Sequence, residues 1–158
     1  MSGPGPDVSF VVATYRRPEV LEQTLRAVRN QTVGEWELVV VGDCCDERTE
    51  AVVRAFGDPR LRYYNLPARY GEQGGPNSVG MAVASGRWLT FLNHDDVLLP
   101  DHVAVAMGEG ERRGVDVVST RFASLTALRS VGPTVIDADV RGVFPMVGSR
   151  REVMSRRS

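Results

Sequence analysis

Arg87-Trp88-Leu89-Thr90-Phe91-Leu92-Asn93-His94-Asp95-Asp96 is the stretch on which the fold turns. A short apolar run stops at four polar residues, two of them adjacent carboxylates, and Val97-Leu98-Leu99-Pro100 then restarts an apolar pattern. The run has the length of a strand buried on both faces, and Pro100 suits the first turn of a following helix. Acids grouped at the carboxyl end of such a strand lie where open α/β sheets bind ligands. Hard cations such as magnesium and manganese prefer these oxygen ligands and commonly bridge them to a phosphate. A polar loop that only caps the next helix is the alternative.

The same punctuation recurs before this stretch. Val8 to Ala13 reads as a first buried strand, followed by Thr14-Tyr15-Arg16-Arg17 and a helix from Pro18 to about Asn30. Trp36 to Val41 reads as a second strand ended by Gly42-Asp43, and Asp46 to Phe56 as a second helix stopped by Gly57-Asp58-Pro59. Leu61 to Asn65 is a short third strand. A glycine-rich loop, Arg69 to Ser78, leads into a helix closed by Gly86, after which the opening strand follows. Beyond Pro100 a helix is expected to about Arg113, then a strand over Val115 to Thr120. Residues 123–129 fit strand or helix, and 143–147 fit a short strand. The alternation predicts an α/β domain with a mainly parallel sheet and helices on both sides.

The chain of 158 residues is long enough for one domain, and its 19 basic and 20 acidic residues nearly cancel. No global field therefore points to nucleic acid or membrane. No apolar run approaches the roughly 20 residues needed to span a bilayer. Residues 1–6 read as a flexible leader without a signal pattern, so a cytoplasmic location is expected. The arginines at 150, 151, 156 and 157 read as a solvated tail. Cys44 and Cys45 are adjacent, a poor geometry for a disulfide, and read as reduced side chains at a turn.

In a parallel sheet the strand ends share one rim. Thr14-Tyr15-Arg16, Asp43 and the segment Asn93 to Asp96 are expected to converge there, beside the helix N-terminus that the glycine-rich loop enters. A nucleoside diphosphate joined to a transferable group gives each part a task. Asp43 accepts hydrogen bonds from base or ribose, the Asp95 region holds a cation, and Arg16 and the helix N-terminus add positive potential. The loop fits neither the dinucleotide fingerprint nor the P-loop, and no nucleophile-elbow pattern occurs.

Taken together in order and spacing, several segments resemble the glycosyltransferases of the large family 2 type, with the GT-A (Rossmann-like) fold of three layers. They are Val-Val-Ala-Thr-Tyr-Arg-Arg-Pro at 11–18, Asn30-Gln31-Thr32, Trp36 to Asp43, Gly74 to Gly80, Ala84 to Trp88, and Phe91 to Asp96 with Pro100. The resemblance covers Val8 to about Met154. It implies that Thr14 and Tyr15 line the nucleotide pocket and that Asp43 reads the nucleoside. It places Asn77 where many relatives have an arginine, and Asn93-His94-Asp95 on the Asp-x-Asp motif, with Asp95 binding Mg2+ or Mn2+ and Asn93 a neutral oxygen ligand. Asp96 is expected to brace that ligand or cap the helix near Pro100.

The resemblance further implies a UDP-, GDP- or dTDP-linked sugar donor, a saccharide, lipid or protein acceptor, and inversion at the anomeric centre. Residues 7–121 are expected to form the nucleotide-sugar-binding half and 122–158 the incomplete start of the acceptor half, with the general base expected beyond Ser158. The competing reading is a non-catalytic or truncated donor-binding module. A nucleotidyltransferase is disfavoured because Thr14 to Pro18 contains no glycine.

Overall fold

The computed structural model describes residues 5–120, 122–130 and 136–144. The chain divides into two compact units, Met1–Ala104 and Val105–Ser158. In the first, β1 (Val8–Thr14), β2 (Trp36–Gly42), β3 (Leu61–Asn65) and β4 (Trp88–Asn93) form one parallel sheet in the order β3-β2-β1-β4. The helices are α1 (Pro18–Arg29), α2 (Glu47–Phe56), α3 (Gly74–Val83) and α4 (His102–Arg113), which begins at the end of this unit. This is the flanked parallel α/β architecture that the alternation predicts.

Every residue of β1 is buried, as are all but one of β2. These strands have neighbours on both edges, so a continuous β-branched run suits them. Val11, Val39 and Val41 form a cluster covered by Val79 and Val83 of α3, with Tyr64, Leu66 and Leu89 alongside. Alternation sends Phe10, Val12, Leu38 and Val40 to the opposite face, where they are fully buried too. Burying each such side chain stabilises the fold by about 1.5–3 kcal/mol. Gly80 brings α3 close, because a Cβ there would run into the Val11 side chain.

Local signals explain the boundaries. Pro18 opens α1, Asp46 caps α2 by accepting from Thr49 N at 3.2 Å, and Gly57 ends α2 with φ of 66°. Arg16 and Cys44, each two residues beyond a strand end, take left-handed φ values of 45° and 59°. Such corners are uncommon outside glycine and asparagine, and here they turn the chain sharply out of the sheet at the rim.

Three expectations are corrected. The opening strand β4 is not buried on both faces: it lies at the edge of the sheet order, and Phe91 is 47% exposed. Residues 115–120 are not a strand, and Val117 is exposed. β-branched composition alone does not make a strand, which needs lateral pairing more than propensity. α3 begins at Gly74, inside the stretch read as loop. In the second unit, β5 (Phe122–Ser130) and β6 (Ile136–Phe144) pair antiparallel, which resolves 123–129 as strand. Residues 145–147 of the expected last strand and the terminal arginines lie outside the described residues.

Candidate functional site

The sheet order reverses at β1. The chain steps from β1 to β2 and β3 on one side, then returns to β4 on the other. Open α/β sheets present a crevice at the carboxyl ends of the strands at such a switch point. A cavity of about 120 Å³ lies there, lined by Ala13 and Thr14 from β1, Asp43 after β2, His94 after β4, and Tyr15, Arg69, Gly71 and Pro76 among others. That is smaller than the roughly 300–1,000 Å³ pockets that enclose whole ligands, so it takes a ring or sugar-sized part of one.

Asp43 is 5% exposed and is the centre of the polar arrangement. Its Oδ1 accepts from Tyr70 N at 2.7 Å and its Oδ2 from Gly71 N at 2.9 Å. The acid therefore holds the glycine-rich segment against the strand ends, and each oxygen retains a further lone pair for a ligand. Asp43 N in turn donates to Thr14 O at 2.9 Å, which joins the ends of β1 and β2. Asn65 completes the corner by accepting from Cys45 N at 2.8 Å and donating to Cys45 O at 2.9 Å. Both cysteines are free thiols.

Thr14 Oγ1 is buried and has no hydrogen-bond partner among the described residues. Thr14 itself lines the cavity, so this unsatisfied hydroxyl sits in a residue of its wall. Two guanidinium groups lie over the Tyr15 ring, Arg69 at 4.3 Å and Arg16 at 5.4 Å from its centroid. Arg69 and Glu72 both line the cavity. The wall thus offers carboxylates to accept hydrogen bonds from hydroxyl or base N–H groups, and a guanidinium for an anion.

At the end of β4 the chain closes a four-residue turn. Asp96 Oδ2 accepts from Asn93 N at 2.7 Å, and Asp96 N donates to Asn93 O at 3.1 Å. Asp96 is thus the brace of the turn. Asp95 projects a half-exposed carboxylate whose ion-pair partner is Arg17, at 3.6 Å. Burial pushes the His94 imidazole below its ordinary value; Asp95 and Asp96 oppose this and Arg17 reinforces it. Its neutral ring is available as a hydrogen-bond donor or metal ligand.

Thr14, Tyr15 and Asp43 therefore line one cavity with His94. Arg16 lies over the Tyr15 ring and is not among the lining residues, and Asn93 and Asp95 flank His94 in sequence. Asn77 lies within α3, donates its N–H to Gln73 O, and is not among the lining residues. Sequence reasoning missed Arg69, Glu72 and Gln73 as lining side chains. The signal was the glycine-rich segment itself, but only the folded cavity shows which of its residues line it.

A divalent cation finds a sparse donor set. Among the described residues no three His, Cys, Asp or Glu side chains form a metal-binding group. Mg2+ and Mn2+ are commonly held by one or two carboxylates with substrate phosphates completing the shell. An exposed Asp95 carboxylate, the Asn93 amide oxygen and a neutral His94 fit that mode. No helix among the described residues is long and apolar enough to cross a membrane.

The fold agrees with known proteins. The family model for Glycosyl transferase family 2 matches residues 9–127. The succinoglycan biosynthesis protein ExoO of Rhizobium meliloti is 34% identical over 112 residues, covering 71% of this chain and 32% of its own. The structure of TarS 1-349 of S. aureus in complex with UDP superposes with a TM-score of 0.66 at 25% identity, covering 70% of this chain and 33% of that one. The mannosyltransferase PcManGT of Pyrobaculum calidifontis, in complex with GDP-Man and Mn2+, shares the fold with a TM-score of 0.60 at 22% identity, over 66% and 32% of the two chains. The chain spans about one third of the length of these relatives. With its family match over residues 9–127 and the switch-point cavity, the chain belongs to glycosyl transferase family 2.

Proposed function

We propose that the chain is the donor-binding part of a glycosyltransferase, taking a nucleotide-diphospho-sugar at the carboxyl ends of β1, β2 and β4. One observation carries the reading: Thr14, Asp43 and His94, from three separate strands, meet in one cavity at the switch point. In this reading residues 7–121 form the nucleotide-sugar-binding half and 122–158 begin the acceptor half. Asp43 and Thr14 hold the nucleoside, Tyr15 lines the pocket, and Arg16 and Asn77 contribute from its margins. Arg69 meets the diphosphate. Asp95, with Asn93, would hold Mg2+ or Mn2+, which as a Lewis acid neutralises the leaving diphosphate. TarS binds UDP and PcManGT binds GDP-Man with Mn2+, which supports a UDP, GDP or dTDP donor.

The reaction is transfer to an acceptor hydroxyl of a saccharide, lipid or protein. The hydroxyl gives its proton to a base, its oxygen bonds the anomeric carbon from the face opposite the leaving group, and the bond to the diphosphate breaks. The configuration inverts and a nucleoside diphosphate departs. The chain's described residues serve the donor half of this step, and the reading places the reaction in the cytoplasm.

Calorimetry of the 158-residue chain with UDP, GDP and dTDP, each with and without Mn2+, tests the reading. One nucleotide is expected to bind, more tightly with Mn2+, and Asp95→Ala is expected to abolish the metal response. Folded protein that binds none of the three overturns the donor site.

A further inference from the structure

We infer that Thr24, on α1, is the positioning residue that sets Asp95 for its cation. Thr24 is fully buried, between the apolar Leu21, Leu25 and Val28 of the same helix. A threonine inside a helix commonly turns its hydroxyl back to a carbonyl of the preceding turn. Here Oγ1 instead lies 2.9 Å from His94 O and 2.8 Å from Asp96 O, 70 and 72 residues away. A hydroxyl carries one proton, so the two carbonyls share a single donor. They belong to the residues on either side of Asp95.

The turn is thus tied twice. Asp96 closes it from within, through Asn93, and Thr24 anchors it from the helix beneath. Among the described residues, the contact that reaches the Asp95 carboxylate is the long one from Arg17, at 3.6 Å. Where that carboxylate stands is therefore decided by the backbone on both sides of it, and Thr24 is what holds that backbone. Replacing a group that orients a metal ligand from behind typically costs about 10–100-fold in metal affinity.

A second buried polar residue supplies the control. Gln31, just beyond α1, donates to Leu99 O at 2.7 Å and accepts from Val103 N at 3.2 Å. It pins the same segment farther along, where no residue of the proposed site lies. A role limited to filling and satisfying the core makes the two residues equivalent; a positioning role makes them differ.

The inference rests on the donor-site reading, and its test separates the two. Mn2+ is titrated into the chain with whichever of UDP, GDP and dTDP binds, and thermal unfolding is followed in parallel. Thr24→Val is expected to raise the Mn2+ concentration at half-saturation about tenfold, leaving metal-free nucleotide binding unchanged. Thr24→Ser keeps the hydroxyl and is expected to stay near the unsubstituted chain. Thr24→Ala, compared with Ser, repeats the test should valine not be accommodated. Gln31→Met is expected to lower stability without moving the Mn2+ response. An unchanged Mn2+ response in Thr24→Val or Thr24→Ala, or an equal shift in Gln31→Met, overturns the inference alone. Nucleotide binding that ignores Mn2+ before any substitution overturns the metal reading and this inference with it.

Discussion

Arg62 Nη2 stands 2.5 Å from Glu37 Oε2 at the rim of the sheet opposite the cavity. The other carboxylate oxygen accepts from Ser9 Oγ at 2.6 Å, Ser85 N at 2.5 Å and Ser85 Oγ at 2.9 Å. One acid thereby joins β1, β2, β3 and the turn into β4. Burial raises its pKa, but the hydrogen bonds from Ser9 and Ser85 and the Arg62 charge outweigh it, leaving Glu37 below 4.5. A carboxylate with a lowered folded pKa contributes stability that is present above its unfolded value and lost as pH falls through the folded one. Glu37→Gln is expected to destabilise the fold by about 1–3 kcal/mol at neutral pH and to flatten its acid dependence below pH 4.5. Urea unfolding across that range is the measurement, and an unaltered acid slope would count against the assignment.

Asp43→Asn tests the clamp on the opposite rim. Asparagine has one acceptor oxygen and a donor amide in place of two acceptors, so either Tyr70 N or Gly71 N loses its partner. Leaving such a donor unsatisfied costs about 1–3 kcal/mol. Faster amide exchange at residues 70 and 71 and at least a tenfold loss of nucleotide affinity, about 1.4 kcal/mol, are expected.

Gly80→Ala tests the approach of α3 to the sheet. The added methyl meets Val11 at the centre of the cluster, and overpacking of this kind costs about 1–3 kcal/mol. Chemical denaturation should show the loss, with nucleotide binding weakened because α3 carries Pro76 of the cavity wall.

Arg69→Leu separates charge from scaffold. The guanidinium over Tyr15 contributes about 0.5–1 kcal/mol as an exposed cation–π contact, so stability should change little. Diphosphate affinity is expected to fall about tenfold, and to lose part of its salt dependence, if Arg69 meets the phosphates.

The fold was legible where periodicity, proline and glycine agree. β1, α1, β2, α2 and β3 begin and end within a residue or so of the positions read from the sequence, because each boundary has a local chemical cause. Burial was not legible for β4: an apolar run reads the same at an edge as at the centre, and only the β3-β2-β1-β4 order tells them apart. Residues 115–120 fail for the related reason that pairing is non-local. At the cavity, Thr14, Tyr15 and Asp43 were legible because strand ends share one rim. The inward turn of Arg69 and the anchoring of the acid turn by Thr24 were not, since both depend on contacts between segments far apart in the chain.

Asp43 grips the segment after residue 69 through backbone N–H groups alone, so the grip does not depend on side-chain identity. Proline at either gripped position would remove a donor, and the φ of 85° at Gly71 favours glycine there. Around those two constraints, Arg69, Glu72 and Gln73 are free to vary while the segment keeps its seat. The arrangement is a cassette: lineages, or a laboratory library, can exchange the side chains that line the cavity without first re-engineering the scaffold.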